Sequence, residues 1–469
     1  MGKPIRGRVG RHANTGAQCQ NWAEDQQTVI NMLNVLPLAD GGPGASILGN
    51  VVNGVASDAL YRAILRFQKQ QFPAQQVGFI EPGGPVLAKL DALASRQSPD
   101  SSNAAKPKGQ WDTFKTESVR SALERALVVH PQLSHVDVVE IVRSVLKDGE
   151  LSSAALDDLE MMRIKSKSMM KRSQDFLLYL VEEGRVAIGK VGALKFSSIR
   201  QQWAAEQACA FLKRKGDAYW PNLDRDEVGV GMLLRIAKPG LIRQGKASVC
   251  GPAAMLFSLL EDHPGAYAQF AIELYEKGQA NIGKDAIEPG IRVRHYAPPS
   301  GSIDPVDWLT MASMRDSANW KLSFDSVENR LRVNLAGITT PMEMAWWFSR
   351  AGYYDVREDA NFVRHQRDTS NMQQATQLFN AGYRVCLLID SQMVDVDDSG
   401  HGTQSQSGSA ALLDRHWVAL TSPIRENGGK VNMTIFTWGK GDTYQVPQTG
   451  VLTLDDFLMN YYGYVAGKP

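Results

Sequence analysis

The sequence has little that would place it in a membrane or on a nucleic acid. Its 469 residues contain no run of 18 apolar residues, so no membrane-spanning helix is expected. Lys and Arg (51) nearly balance Asp and Glu (50), which argues against a global basic field for nucleic acid or an anionic membrane. The opening residues, MGKPIRGRVGRHANTG, are polar and lack the apolar core of a secretory signal. We therefore expect synthesis in the cytoplasm without a signal peptide.

Cysteine and histidine are also scarce. The four cysteines, at 19, 209, 250 and 386, are far apart and show no CxxC spacing, so neither a disulfide framework nor a structural zinc site is expected. Scattered thiols are typical of a protein made in a reducing compartment. The eight histidines lack ligand spacing such as HxxxH. We therefore expect no metal and no cofactor.

The chain is long enough for several domains, and its composition changes along its length. Residues 1–95 are predicted to form a small helical domain, and 96–109 (RQSPDSSNAAKPKG) a polar linker. Helical periodicity continues through 110–214, the predicted middle domain. In 215–469, apolar helices are followed by strand-like runs such as RVCLLI and VNMTIFT. The predicted fold class is therefore multidomain, mainly α in the N-terminal and middle regions and α+β in the C-terminal domain.

The N-terminal domain shows three short amphipathic helices separated by turns rich in Gly and Pro. The first lies within 25–36, the second follows the N-cap pair Ser57-Asp58, and the third follows Pro85. In this order, with Phe67-Gln68 late in the second helix, they resemble the peptidoglycan-binding domain of bacterial wall hydrolases. A small helical bundle used for docking is the alternative interpretation.

Cys250 has the strongest chemical context in the sequence. The apolar run after it predicts a buried helix, and Pro252 suits the first turn of that helix. A helix N-terminus favours the thiolate, which is the nucleophilic form of cysteine. Gly251 leaves room beside the sulfur for a substrate backbone. The sequence therefore predicts a nucleophile at Cys250.

A nucleophilic cysteine needs a base and a donor for the oxyanion. His416 begins the strand-like run HWVAL, and Gln244 precedes Cys250 by six residues. The order of Gln244, Cys250-Gly-Pro-Ala and His416-Trp-Val resembles the papain superfamily, and most closely its bacterial branch of leader peptidases. That resemblance implies a papain-like fold, cysteine peptidase activity, and the roles of oxyanion donor, nucleophile and base for these three residues.

The residue that orients the histidine is where the sequence departs from that branch, which places an Asp after the next strand. Counting outward from the turn Glu426 to Gly429 sets Thr437 or Trp438 opposite His416. Asp390, at the end of the preceding strand, is another candidate. The remaining alternative is a site of Cys250 and His416 without any residue that orients the histidine.

The combination of a wall-binding-like domain, a helical middle and a cysteine hydrolase is similar to antibacterial effectors of type VI secretion systems. This likeness implies secretion into a target bacterium, a cognate immunity protein and a partner in the secretion apparatus. The expected function is a toxic peptidase acting on a protein. The alternatives are a hydrolase of peptidoglycan stem peptides with the same residues, and a non-enzymatic secretion cargo or adaptor.

Overall fold

The computed structural model describes residues 5–37, 40–43, 51–97, 111, 113–130, 132–166, 169–216, 218–245, 247–318, 338–394, 415–437 and 441–469. The chain divides into two compact units, 1–109 and 110–469. The predicted linker, 96–109, ends at this boundary, and from residue 98 onward it lies outside the described residues.

The described part of the first unit contains three helices and a short antiparallel pair of strands. Its elements are β1 (Val9–Gly10), α1 (Ala23–Asn34), α2 (Asp58–Gln71), β2 (Phe79–Ile80) and α3 (Pro85–Gln97). Ser57 begins α2 as predicted, because its side chain accepts a hydrogen bond from the N–H of Leu60. The apolar face of α2, including Ile64 and Phe67, is fully buried in the core of this unit.

The second unit begins with helices joined by short connections. They are α4 (Glu117–Val129), α5 (His135–Leu146), α6 (Ser153–Lys165), α7 (Lys171–Val191), α8 (Ile199–Lys213) and α9 (Arg225–Ala237). The short strands β3 (Glu150–Leu151) and β4 (Leu194–Lys195), on either side of α6 and α7, pair antiparallel. Ser134 and Asp137 form a reciprocal capping box at the start of α5, where the sequence predicted a helix to begin.

A second group of elements surrounds the candidate nucleophile. It contains α10 (Cys250–Asp262), α11 (Pro264–Lys277), β5 (Ala280–Ile282), β6 (Asp285–Ile287), α12 (Ile291–His295), α13 (Pro305–Asp307) and α14 (Ser313–Ala318). A π-helical segment, Trp308–Ala312, joins α13 to α14. Nearly all of α10 is buried, as its apolar sequence predicts.

The rest of the unit contributes an antiparallel sheet and three helices. These elements are α15 (Pro341–Arg350), β7 (Tyr354–Ala360), α16 (Ser370–Asn380), β8 (Arg384–Asp390), β9 (Arg415–Leu420), β10 (Arg425–Asn427), β11 (Lys430–Phe436), β12 (Tyr444–Val446), β13 (Leu452–Thr453), α17 (Leu454–Met459) and β14 (Tyr461–Lys468). The strands lie in the order β10-β11-β9-β8-β14-β7, and β12 and β13 also pair with β11. Helices precede the sheet in the chain, so the unit is a mixed α and β structure.

Helix α10 packs against one face of this sheet. Phe257 of α10 stacks on Phe436 of β11, with ring centroids 4.3 Å apart and ring planes 5° from parallel. Ser258 of the same helix lies 4.0 Å from the sulfur of Cys386 on β8. The centre of the sheet and the helix that begins at Cys250 therefore share one core.

That core is continuous with the helices before it. One cluster of buried side chains runs from Phe114, ahead of α4, to Val465 on β14. Leu212 of α8 packs so closely on α9 that a methyl group placed on Gly229 would lie 2.3 Å from it. The predicted boundary between residues 214 and 215 therefore falls inside a single hydrophobic core. Among the described residues, no helix is both long and apolar enough to span a bilayer.

Candidate functional site

Cys250 is the first residue of α10, at the position that the sequence predicts. As a residue Cys250 is partly exposed, although its thiol group is buried, whereas Cys209 and Cys386 are buried throughout. Pro252 lies in the first turn, where its missing N–H leaves no helical hydrogen bond unmade. The free N–H groups of this turn face the sulfur, because the backbone N–H of Gly251 is one of its donors.

Gly251 is required by the segment that crosses the start of α10. A methyl group placed on Gly251 would lie 2.3 Å from Oγ1 and 2.5 Å from Cβ of Thr339. Any larger residue would push that segment away from the helix. The glycine therefore allows a close approach between Thr339 and the residue next to the nucleophile.

The sulfur of Cys250 is also held by strand β9. The backbone N–H of Trp417, the residue that follows His416, interacts with the sulfur and favours the charged form of the thiol. Burial raises the pKa of the thiol, while this interaction, the helix N–H groups and the positive charge of Arg315 oppose the rise. The thiol is therefore the resting form at neutral pH.

His416 is the second residue of β9 and is buried, with 4% of its surface exposed. Its Nε2 lies 2.7 Å from Oγ1 of Thr437, one of the partners that the sequence predicts. Burial lowers the pKa of His416 to about 3, so the ring is neutral at physiological pH. If Nδ1 is to take up a proton, Nε2 must carry the hydrogen and donate it to Thr437.

The last residues of β11 lie beside the final residues of β9. They are paired only at Leu420 with Ile435 and at Ala419 with Phe436, within the described residues. Toward its start, β9 continues to pair with β8, as shown by His416 opposite Ile389. Since β11 ends at Phe436 and Thr437 follows at once, the thiol, the imidazole and the threonine hydroxyl all lie near this end of β9.

No hydrogen bond joins the thiol of Cys250 to the ring of His416 in the described part of the chain; the two are connected through Trp417. Hydrogen bonds between catalytic groups are often long in a protein without substrate and shorten when substrate binds. The structure therefore brings the nucleophile to the residue beside the base, but the proton path is not closed in this state.

Gln244 lies in the loop between a turn at Pro239–Leu241 and α10. The loop backbone is fixed, because the N–H of Arg243 donates to Asp307 at 2.8 Å and Gly245 packs directly on the carbonyl of Ser302. The side-chain oxygen of Gln244 is buried and has no hydrogen-bond partner among the described residues. Among those residues, Gln244 forms no hydrogen bond with Cys250.

The sequence also suggests Asp390 and Trp438 as residues that could lie beside the histidine. Asp390 forms an ion pair of 3.2 Å with Arg415, and both side chains are almost fully buried. Trp438 lies outside the described residues. Thr437, the third candidate, forms a hydrogen bond with the imidazole through its side chain.

Two charged residues near the nucleophile were not predicted from the sequence. Arg315 on α14 is fully buried and pairs with Glu343 on α15 at 2.6 Å. The capping box formed by Thr340 and Glu343 was detectable as the motif TPME, but its role beside the site was not. Arg315 had no sequence signal, because its proximity to Cys250 depends on tertiary packing.

The described residues contain no group of three His, Cys, Asp or Glu side chains arranged to hold a metal ion. Searches of protein-family models, curated proteins and solved structures found no match to this chain. Its function must therefore be inferred from its own residues.

Proposed function

We propose that residues 215–469 act as a papain-like cysteine hydrolase, with Cys250 as nucleophile, His416 as base and Gln244 as oxyanion donor. One observation carries the proposal: the thiol lies at a helix N-terminus and interacts with the backbone N–H of the residue after His416. A second supports it, since His416 is held through Nε2 by Thr437. A buried structural cysteine would not need this arrangement of donors around its sulfur.

In the first half of the reaction, the sulfur of Cys250 attacks the carbonyl carbon of a peptide or amide bond. The thiol proton passes to Nδ1 of His416, and the carbonyl electron pair moves to oxygen. The side-chain amide of Gln244 and the N–H groups at the start of α10 donate to that oxyanion. The C–N bond then breaks, the departing amine takes the proton from His416, and a thioester remains on Cys250.

In the second half, water attacks the thioester carbonyl while His416 accepts one of its protons. The C–S bond breaks, the sulfur recovers that proton, and the acid product leaves. Thr437 accepts a hydrogen bond from Nε2 throughout, which holds the ring but supplies no negative charge to the imidazolium. We therefore expect slower proton transfer than a carboxylate in that position would allow.

The proposed biological role is that of an antibacterial effector of a type VI secretion system, cleaving a protein in the target cell and neutralised by a cognate immunity protein. The order of domains supports this role by its resemblance to such effectors. A separate unit of three helices is consistent with the predicted peptidoglycan-binding-like domain. This unit favours a second candidate function, which is hydrolysis of peptidoglycan stem peptides by the same site.

The third candidate is a non-enzymatic cargo or adaptor. It is favoured by the hydroxyl partner of His416 and by the absence of a direct hydrogen bond between thiol and imidazole among the described residues. Measurements on the intact protein distinguish these three candidate functions.

The test compares the wild type with Cys250→Ala and His416→Ala, each expressed in the cytoplasm and in the periplasm of a bacterium. We expect a growth defect in one compartment, lost with either substitution. Cys19→Ala is the matched control, because Cys19 is also partly exposed but lies in the first unit. Equal toxicity of wild type and Cys250→Ala would reject both enzymatic functions.

The compartment identifies the substrate class. Toxicity confined to the periplasm, with release of stem-peptide fragments from purified cell walls, would favour the second candidate. Toxicity confined to the cytoplasm, with cleavage of a cytosolic protein, would favour the first.

A further inference from the structure

The nucleophile lies beside a fully buried cation. Arg315, on α14, has no exposed surface, and a buried guanidinium is stable only when it is paired and hydrogen-bonded. Its Nη2 lies 2.6 Å from Oε1 of Glu343, and its Nη1 lies 3.1 Å from Oγ1 of Thr339. It also lies over the ring of Trp347, 5.8 Å from the centroid. The guanidinium therefore bridges a carboxylate and the segment that covers the nucleophile helix.

Thr339 connects this cation to the start of α10. Its Oγ1 is the atom that a methyl group on Gly251 would approach to 2.3 Å. Its carbonyl oxygen accepts a hydrogen bond of 2.8 Å from Nε1 of Trp417. Since the backbone N–H of Trp417 interacts with the sulfur of Cys250, Thr339 contacts both elements that hold the thiol.

Glu343 binds both terminal nitrogens of Arg315. Nη2 lies 2.6 Å from Oε1 and Nη1 lies 3.4 Å from Oε2, while Nη1 also lies 3.1 Å from Oγ1 of Thr339. The backbone N–H of Thr340 donates to Oε2 of Glu343 at 2.6 Å, which anchors the carboxylate on α15. The guanidinium is therefore fixed against Thr339, the residue that contacts the start of α10. The titratable groups facing Cys250 from the packed elements are His416 on β9, Arg315 on α14 and, behind it, Glu343 on α15.

We propose that Arg315 is a positioning residue that holds Thr339 against the nucleophile helix and supplies the positive charge that favours the thiolate of Cys250. The inference rests on the proposed function of Cys250, but it concerns the thiol itself and can be measured without turnover. In this site the neutral, buried imidazole does not stabilise the thiolate as an imidazolium would. Arg315 keeps its positive charge because a guanidinium does not lose its proton. It therefore stabilises the thiolate in place of an imidazolium.

The test is the pH dependence of alkylation of Cys250 by iodoacetamide in the full chain, with the modified peptide identified by mass spectrometry. All variants carry Cys19→Ser, so that the other partly exposed thiol does not react. For Arg315→Met we expect the midpoint of the profile to rise by about one pH unit, a roughly tenfold slower reaction at neutral pH. Arg315→Lys keeps the charge and should restore the midpoint to within about 0.3 unit of the wild type.

A merely structural role for Arg315 predicts a different result. Arg315→Met with a native near-ultraviolet circular dichroism spectrum and an unchanged midpoint would overturn the inference. If Arg315→Met does not fold, Glu343→Gln decides, because glutamine retains the capping interaction with Thr340 while removing the counter-charge. We expect its midpoint to fall; an unchanged or higher midpoint contradicts the inference.

Failure of this inference about Arg315 can be distinguished from failure of the proposed function. A protein that lacks hydrolase activity but shows the shifts in alkylation retains the electrostatic role of Arg315. A protein that hydrolyses its substrate, but whose thiol is indifferent to Arg315 and Glu343, retains the function and loses only this inference.

Discussion

At the scale of single residues, the hydrogen bond between His416 and Thr437 stands where the resemblance to leader peptidases implies a carboxylate. A hydroxyl fixes the ring and selects its tautomer, since Nε2 donates to Oγ1 when Nδ1 is the base. It does not raise the basicity of the ring as a carboxylate would. The burial of His416 and its neutral partner act together to keep the ring uncharged.

Replacing Thr437 with valine removes this acceptor with little change in shape. We expect kcat/KM to fall about five- to tenfold, as for loss of one buried hydrogen bond, and Thr437→Ser to retain most activity. Thr434→Val is the matched control, because Thr434 lies on β11 and its hydroxyl accepts a hydrogen bond from Thr421, just past the end of β9 and away from His416. An equal loss in both valine variants, measured with any substrate found, would argue that Thr437 is only structural.

The burial of His416 also predicts how stability depends on pH. The folded ring has a pKa of about 3, below its ordinary value of 6.5, so between these values the unfolded chain binds a proton that the folded chain does not. The free energy of unfolding should therefore fall as pH is lowered through this window, by up to about 1.4 kcal/mol per pH unit from this group. Urea unfolding of His416→Gln at several pH values should show a shallower fall, and parallel curves would contradict the prediction.

At the scale of elements, the start of α10 depends on close contact with the segment before α15. Gly251 meets Thr339, Thr339 accepts from Trp417, and Trp417 binds the thiol. The nucleophile is thus positioned by its own helix, by a strand and by a connecting segment. A change in any of the three moves the sulfur.

Gly251→Ala should disturb this contact directly. The added methyl group overlaps Oγ1 of Thr339, so we expect a loss of about 1–3 kcal/mol in the free energy of unfolding and a larger loss of activity. Gly189→Ala on α7 is the control, because a methyl group there meets no atom within 4 Å and alanine favours a helix. Denaturant unfolding that finds both variants equally stable would show that the segment around Thr339 yields easily.

At the scale of the whole molecule, each unit has a hydrophobic core made of its own described residues. The core of the first unit runs from Ile5 to Ala94. The second unit has two, one from Phe114 to Val465 and one from Met372 to Ala466. Helices α4 to α9 share the larger of these with α10 and the sheet. The helical middle region and the candidate hydrolase therefore share one hydrophobic core, and we expect them to fold together.

Two fragments test this organisation. Residues 110–469 should fold alone and unfold cooperatively, whereas 215–469 should not, because removing α8 uncovers the core around Leu212 and Gly229. Circular dichroism melts and solubility measure the outcome. A cooperative transition in 215–469 would show that the helical middle is an independent domain.

The sequence by itself determined those features whose causes are local. The helix after Cys250 follows from its apolar run and from Pro252, and the start of α5 follows from the cap at Ser134. The strand beginning near His416 follows from its pattern of apolar residues. Each of these depends on residues within one or two turns of the chain, so composition and periodicity suffice.

Only the tertiary structure decided how these elements meet. Thr437 was one of several possible partners of His416, because a shift in strand register changes which residue lies nearby. Arg315 had no signal at all, since its pairing with Glu343 and Thr339 joins segments far apart in sequence. The shared core of the helical middle and the sheet likewise depends on long-range packing. Local chemistry makes Cys250 the candidate nucleophile, while distant contacts determine its charge environment and the residue that binds the candidate base, His416.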